Sequence, residues 1–154
     1  MNPESLPAAS GGPAPEPSRL ALQLGAAGLI PFVAGTALVW FLYGDAQIGV
    51  TLGLAGYAAT VVAFLGGLHW GLAMRAGQGQ DGLLRWGVVP PLVATLGVMM
   101  PAHAGLVLLG AMLIVCYAVD RRLYAAQGMS GWLTLRFRLT AVASFCCFLA
   151  AAGV

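Results

Sequence analysis

Charge is what this sequence has least of. Only 8% of its 154 residues are Asp, Glu, Lys or Arg, against about 25% in an ordinary soluble domain. Lysine is absent altogether: all seven basic residues are arginine, and five acidic residues leave a net charge of +2. So few charges cannot build the basic, water-facing patch that a nucleic-acid partner requires, which excludes that class. Cysteine is scarce too. Cys116, Cys146 and Cys147 sit in apolar runs without CxxC spacing, so they read as small buried hydrophobes, with no metal site implied.

Apolar periodicity is missing from residues 1–18, which are mostly Pro, Ala, Gly and Ser. That composition predicts a disordered tail, because it cannot bury enough surface to order itself. Glu4 and Glu16 before the single Arg19 also make a poor leader, since secretory and mitochondrial leaders are basic and acid-poor. The first apolar run is therefore expected to be an uncleaved anchor.

What the chain does have is hydrophobic residues, 60% of the total, with a mean hydropathy of +0.88. The fold class this predicts is all-α: a polytopic integral membrane protein, with residues 19–154 forming a bundle of five transmembrane helices. The expected spans are about 20–43, 46–74, 83–100, 104–122 and 132–153. Each run is long enough to cross a hydrocarbon layer roughly 30 Å thick at 1.5 Å per residue.

Within the spans, Pro31 predicts a kink, and Trp40, Phe41 and Tyr43 predict an aromatic belt at headgroup level. Gly44-Asp45 reads as a tight interfacial turn. Gly49 and Gly53, and again Gly67 and Gly71, stand four apart and are expected to let neighbouring helices approach closely. Pro90-Pro91 removes two backbone donors, so the third span is expected to break or bend there, facing the bundle interior. Residues 124–131 read as a connector.

All seven arginines fall on one side of such a bundle. Arg19 precedes the first span, Arg75 and Arg85 flank the second loop, and Arg121, Arg122, Arg136 and Arg138 surround the fourth. The opposite loops hold only Asp45 and His103. By the positive-inside rule the N-terminus is expected in the cytoplasm and the C-terminus in the periplasm, in a bacterial inner membrane. Arg75, Arg85, Arg121 and Arg122 are the topology residues.

Four stretches together resemble a known family. They are Leu24 to Phe32 (LGAAGLIPF), Phe64 to Gly71 (FLGGLHWG), Tyr117 to Arg122 (YAVDRR) and Trp132 to Thr140 (WLTLRFRLT). This chain is similar to the domain-of-unknown-function family 3429, which includes bacterial inner-membrane proteins and the mitochondrial transmembrane protein 69. The resemblance spans about residues 20–153. It implies a small multi-span membrane protein and no particular activity.

The candidate site is centred on His69, an imidazole inside an apolar run, where an ionisable side chain marks function by default. One reading is a neutral histidine donating a hydrogen bond across a helix interface, for instance to a carbonyl freed by Pro90-Pro91. The other is a ligand-binding or proton-exchanging group in a cytoplasmic-leaflet pocket walled by Trp70, Trp86, Tyr117 and Asp120. Asp120 is also expected to pair with Arg136 or Arg138 of the last span, because an unpaired arginine in the membrane costs on the order of 2.5 to 3.5 kcal/mol.

Haem fails on geometry, since His69 and His103 belong to opposite ends of the bundle. Zinc on His69 and Cys116 would lack two ligands, and Ser144 has no nucleophile-elbow pattern around it. The residues thus point to a non-enzymatic membrane component, an accessory or assembly partner of a larger complex or a homo-oligomer. The alternative from another class is a quinone or lipid-like ligand at His69, with no other cofactor. Small-molecule transport ranks last, because five spans do not divide into inverted repeats.

Overall fold

Ser18 starts the first helix: its hydroxyl accepts a hydrogen bond from the Ala21 amide at 3.2 Å, satisfying one of the orphan donors of an N-terminal turn. The computed structural model describes residues 16–77, 79–126 and 130–154. Most of the tail expected to be disordered, residues 1–15, lies outside the described residues. The elements are α1 (Arg19–Ala27), α2 (Ile30–Phe41), α3 (Asp45–Ala76), α4 (Asp81–Met99), α5 (Ala102–Ala126) and α6 (Leu133–Ala152), with a 3-10 turn at Ser130–Trp132 before α6. No strand occurs among the described residues. Five helical segments are long and apolar enough to cross a membrane, α1 and α2 together forming the first.

That first span is interrupted at Gly28-Leu29 rather than bent at Pro31. Proline has no N–H to give the carbonyl four residues back, so it sits best in the first turn of a helix. Here it begins α2. The Tyr57 hydroxyl, reaching across from α3, donates to the Gly28 carbonyl at 2.9 Å and serves the exposed backbone of the break.

Helix α3 is the axis of the bundle and packs against α2, α4, α5 and α6. Its 32 residues span about 48 Å, more than the hydrocarbon layer requires, so it must tilt or project. Its buried positions, among them Thr51, Ala55, Ala58, Val62, Leu65 and His69, recur every three or four residues, which is the stripe a helix shows to a packed core. The core continues through Leu106, Leu109, Leu113 and Cys116 of α5 and Ala143, Cys147 and Ala150 of α6.

Two expectations about helix contacts are corrected. Gly49, Gly53, Gly67 and Gly71 approach nothing: a Cβ added at any of them would meet no atom within 4 Å. The close crossings lie elsewhere, at Gly66 against Gly87 and the two prolines, and at Gly105 against Gly97. The spacing of four was the right signal for a small-residue stripe, but the face it marks looks outward.

Nor does Pro90-Pro91 break α4, which runs unbroken from Asp81 to Met99. The Gly87 carbonyl, which an amide at position 91 would have bonded, lies instead against the Gly66 backbone, where a Cβ would come within 2.6 Å. The double proline is accommodated because α3 has no side chain at that crossing.

Candidate functional site

Three helices converge at the end of the bundle that carries the arginines, and each brings one ionisable side chain there on its core stripe. On α5 the buried stripe runs Leu109, Leu113, Cys116, Asp120 and Tyr124, so the carboxylate stands where a hydrophobe would otherwise pack. On α6, Arg136 begins the stripe continued by Thr140, Ala143 and Cys147. On α3 the equivalent position is His69. His69 and Asp120 are each 1% exposed, and Arg136 is 12% exposed.

Asp120 is the hub. Its Oδ2 accepts from Arg136 Nε at 3.0 Å and also from Arg136 Nη2. Its Oδ1 lies 3.1 Å from His69 Nε2. The ring is fixed from behind, since His69 Nδ1 lies 3.0 Å from the Leu65 carbonyl one turn back in its own helix. Trp86 of α4 closes the fourth side, edge-on to the imidazole with ring centroids 6.5 Å apart.

The partners count the protons. A carbonyl can only accept, so Nδ1 must be the N–H of this ring. In a neutral imidazole Nε2 would then be a bare lone pair facing a carboxylate oxygen, and two acceptors at 3.1 Å in a dry interior repel. The two atoms stand at ion-pair distance, and neither forms a hydrogen bond among the described residues.

Several expectations change against this geometry. His69 bonds its own helix and Asp120, not a carbonyl freed by the prolines. Arg136 takes the ion pair, while Arg138, two residues on and about 200° round the helix, is exposed. The pocket expected around His69 does not form. Trp70 is 40% exposed and packs over Gly87 of α4, and Tyr117 meets Phe137 at a tilt with centroids 5.7 Å apart. Only Trp86 and Asp120 of the four walls reach the imidazole.

The open space lies instead beside Arg136. A cavity of about 610 Å³ is lined by Gly67, Gly71, Tyr124, Trp132 and Arg136 among others, and a smaller one of about 200 Å³ continues it inward past Phe32, Tyr57 and Thr140. His69 and Asp120 line neither.

The direct contact between His69 and Asp120 was missed in the sequence, where the fourth span was ended at residue 122. The helix in fact continues to Ala126. Asp120 therefore lies six residues, about 9 Å, inside its end, matching the seven residues from His69 to the end of α3. The signal that could have found the pair is the heptad-like stripe, on which both residues fall.

A family model for a protein of unknown function, DUF3429, matches residues 17–152. The chain belongs to this family. The match takes in all six helices and all three members of the cluster. Comparison with curated proteins and with solved structures finds no match. Membership in DUF3429 carries no activity, so what the cluster does must be argued from its geometry.

Proposed function

We propose that this DUF3429 protein is a non-catalytic component of a bacterial inner membrane, an accessory or assembly subunit whose His69–Asp120–Arg136 cluster locks three helices into one shape. The observation that carries the reading is the closure of the cluster. With His69 and Asp120 1% exposed and the nearby cavities lined by Arg136 instead, neither titratable side chain is presented to a substrate among the described residues. A closed charged cluster that joins three helices supports a structural role, because only the native packing gives each charge its partner.

The test replaces the cluster as a unit. A triple variant, His69→Leu with Asp120→Leu and Arg136→Met, removes all the charge and leaves no partner stranded, a change that buried ionic clusters tolerate. It is expected to accumulate in the membrane and to migrate on native gels in the same assembly as the unaltered chain. Normal accumulation with loss of that assembly, or of growth support in a strain lacking the chain, would show that the charges are needed for chemistry and overturn the reading.

The same proposal places the arginine end of the bundle in the cytoplasm and the end bearing Asp45 and His103 in the periplasm. Cys116, Cys146 and Cys147 are all buried, so single cysteines added at exposed sites report orientation cleanly. Asp45→Cys is expected to react with a membrane-impermeant thiol reagent applied from outside, and Gly82→Cys only after the membrane is opened.

A further inference from the structure

We propose that the groove beside Arg136 binds one anionic phospholipid, its phosphate at the guanidinium and an acyl chain running inward between α1, α3 and α6. The two cavities share Gly25, Phe64, Leu65, Arg136 and Leu139 and so form one channel along the bundle surface. Along α6 it extends from Trp132 to Ala143, eleven residues or roughly 16 Å. The combined space is within the range of about 300 to 1,000 Å³ typical of small-molecule sites.

Its two ends differ in chemistry. Tyr124 and Trp132 line the outer end and Arg136 stands where the two cavities meet, whereas the inner end is walled mainly by Leu29, Phe32, Val61, Leu113 and Ala143. A hydrocarbon chain fits the second, and a polar head the first. Arg136 lies six residues, roughly 9 Å, from the start of the last span, nearer the arginine end of the bundle than its middle.

The sign of the head follows from charge. Arg136 engages Asp120 through Nε and Nη2 while its side chain also lines both cavities. Arg19, Arg75, Arg85, Arg121, Arg122 and Arg138 stand at the same end of the bundle. A guanidinium meets a phosphate with charge-assisted hydrogen bonds, and a zwitterionic lipid offsets that attraction with its own cation. The groove also has a reason to stay open: Gly67 and Gly71 on its wall have no side chain, and nothing stands within 4 Å of where one would be.

Native mass spectrometry of the full chain, stripped of lipid and titrated in detergent with phosphatidylglycerol, phosphatidylcholine or an isoprenoid quinone, tests this. One phosphatidylglycerol is expected to stay bound at a concentration at least tenfold lower than phosphatidylcholine needs. Arg136→Gln should abolish the difference. Because that change also disturbs the cluster, Gly67→Leu with Gly71→Leu serves as the second variant. It fills the groove from an open face and is expected to weaken phosphatidylglycerol retention at least tenfold at an unchanged melting temperature. Equal retention of both phospholipids, preference for the quinone, or retention undiminished in the glycine variant would overturn the proposal. So would a dimer that the glycine variant dissociates, since the occupant would then be a second copy.

Discussion

Asp120 Oδ1 and His69 Nε2 lie 3.1 Å apart between α5 and α3, although neither atom can donate unless a proton is supplied. With Nδ1 facing the Leu65 carbonyl, Nε2 and Oδ1 meet as two buried polar atoms without a hydrogen bond between them. In protein labelled with 15N-histidine, the hydrogen of His69 is expected on Nδ1, the nitrogen that faces the Leu65 carbonyl. Asp120→Asn should turn Nε2 into an ordinary acceptor, since the amide supplies the missing hydrogen. An unprotonated Nδ1 would contradict the arrangement.

Removing the carboxylate has a second effect, on Arg136. Asp120→Asn keeps the shape of the side chain but leaves a guanidinium 12% exposed without its counter-ion. Breaking a buried pair on one side costs about 3 to 5 kcal/mol, and a loss towards the lower part of that range is expected here because Arg136 retains some access to solvent or lipid headgroups. Reversible unfolding in detergent should show it. Arg136→Gln added to Asp120→Asn is expected to restore part of the loss, with a coupling of about 0.5 to 3 kcal/mol, and strict additivity would show that the pair contributes nothing.

The two neighbours Gly66 and Gly67 should respond in opposite ways to the same substitution. A Cβ at Gly66 would come within 2.6 Å of the Gly87 carbonyl and 2.7 Å of Pro91 Cδ, both parts of a helix that cannot step aside. Gly66→Ala is expected to destabilise by about 1 to 3 kcal/mol through overpacking. At Gly67 the methyl group enters open space, and replacing a helical glycine by alanine gains up to about 1 kcal/mol. Thermal unfolding of the two variants side by side decides it.

These contrasts show what the sequence could and could not tell. Span number and the one-sided arginines were legible because bilayer thickness and the cost of charge in lipid act on each segment separately. Which glycine touches a partner was not, since residues 66 and 67 differ by about 100° on the helix and only the tertiary arrangement says which way α4 lies. Pro90-Pro91 misled for the same reason. A double proline argues for a break when α4 is considered alone, and the argument lapses once the bare backbone of Gly66 covers the freed carbonyl. Arg136 and Arg138 were equivalent candidates until the stripe through Thr140 and Ala143 fixed the inward face of α6.

The end of the bundle without arginines is held by neutral hydrogen bonds, and Gln47 is their centre. Its Nε2 donates to the Val39 carbonyl at 3.0 Å and to the Gly153 carbonyl at 2.9 Å, joining the end of α2, the first turn of α3 and the last residues of α6. Trp40 Nε1 adds a bond to the Leu149 carbonyl at 3.1 Å on the same seam. Gln47→Leu preserves most of the bulk and removes both donors, leaving two partly buried carbonyls to find water. At about 0.5 to 1.5 kcal/mol for each net hydrogen bond, a loss of roughly 1 to 3 kcal/mol is expected. Because the amide joins α6 only at its C-terminal end, hydrogen exchange should quicken over residues 147–153 and stay unchanged around Arg136. A uniform increase along α6 would mean that the helix is held as one unit from the charged end.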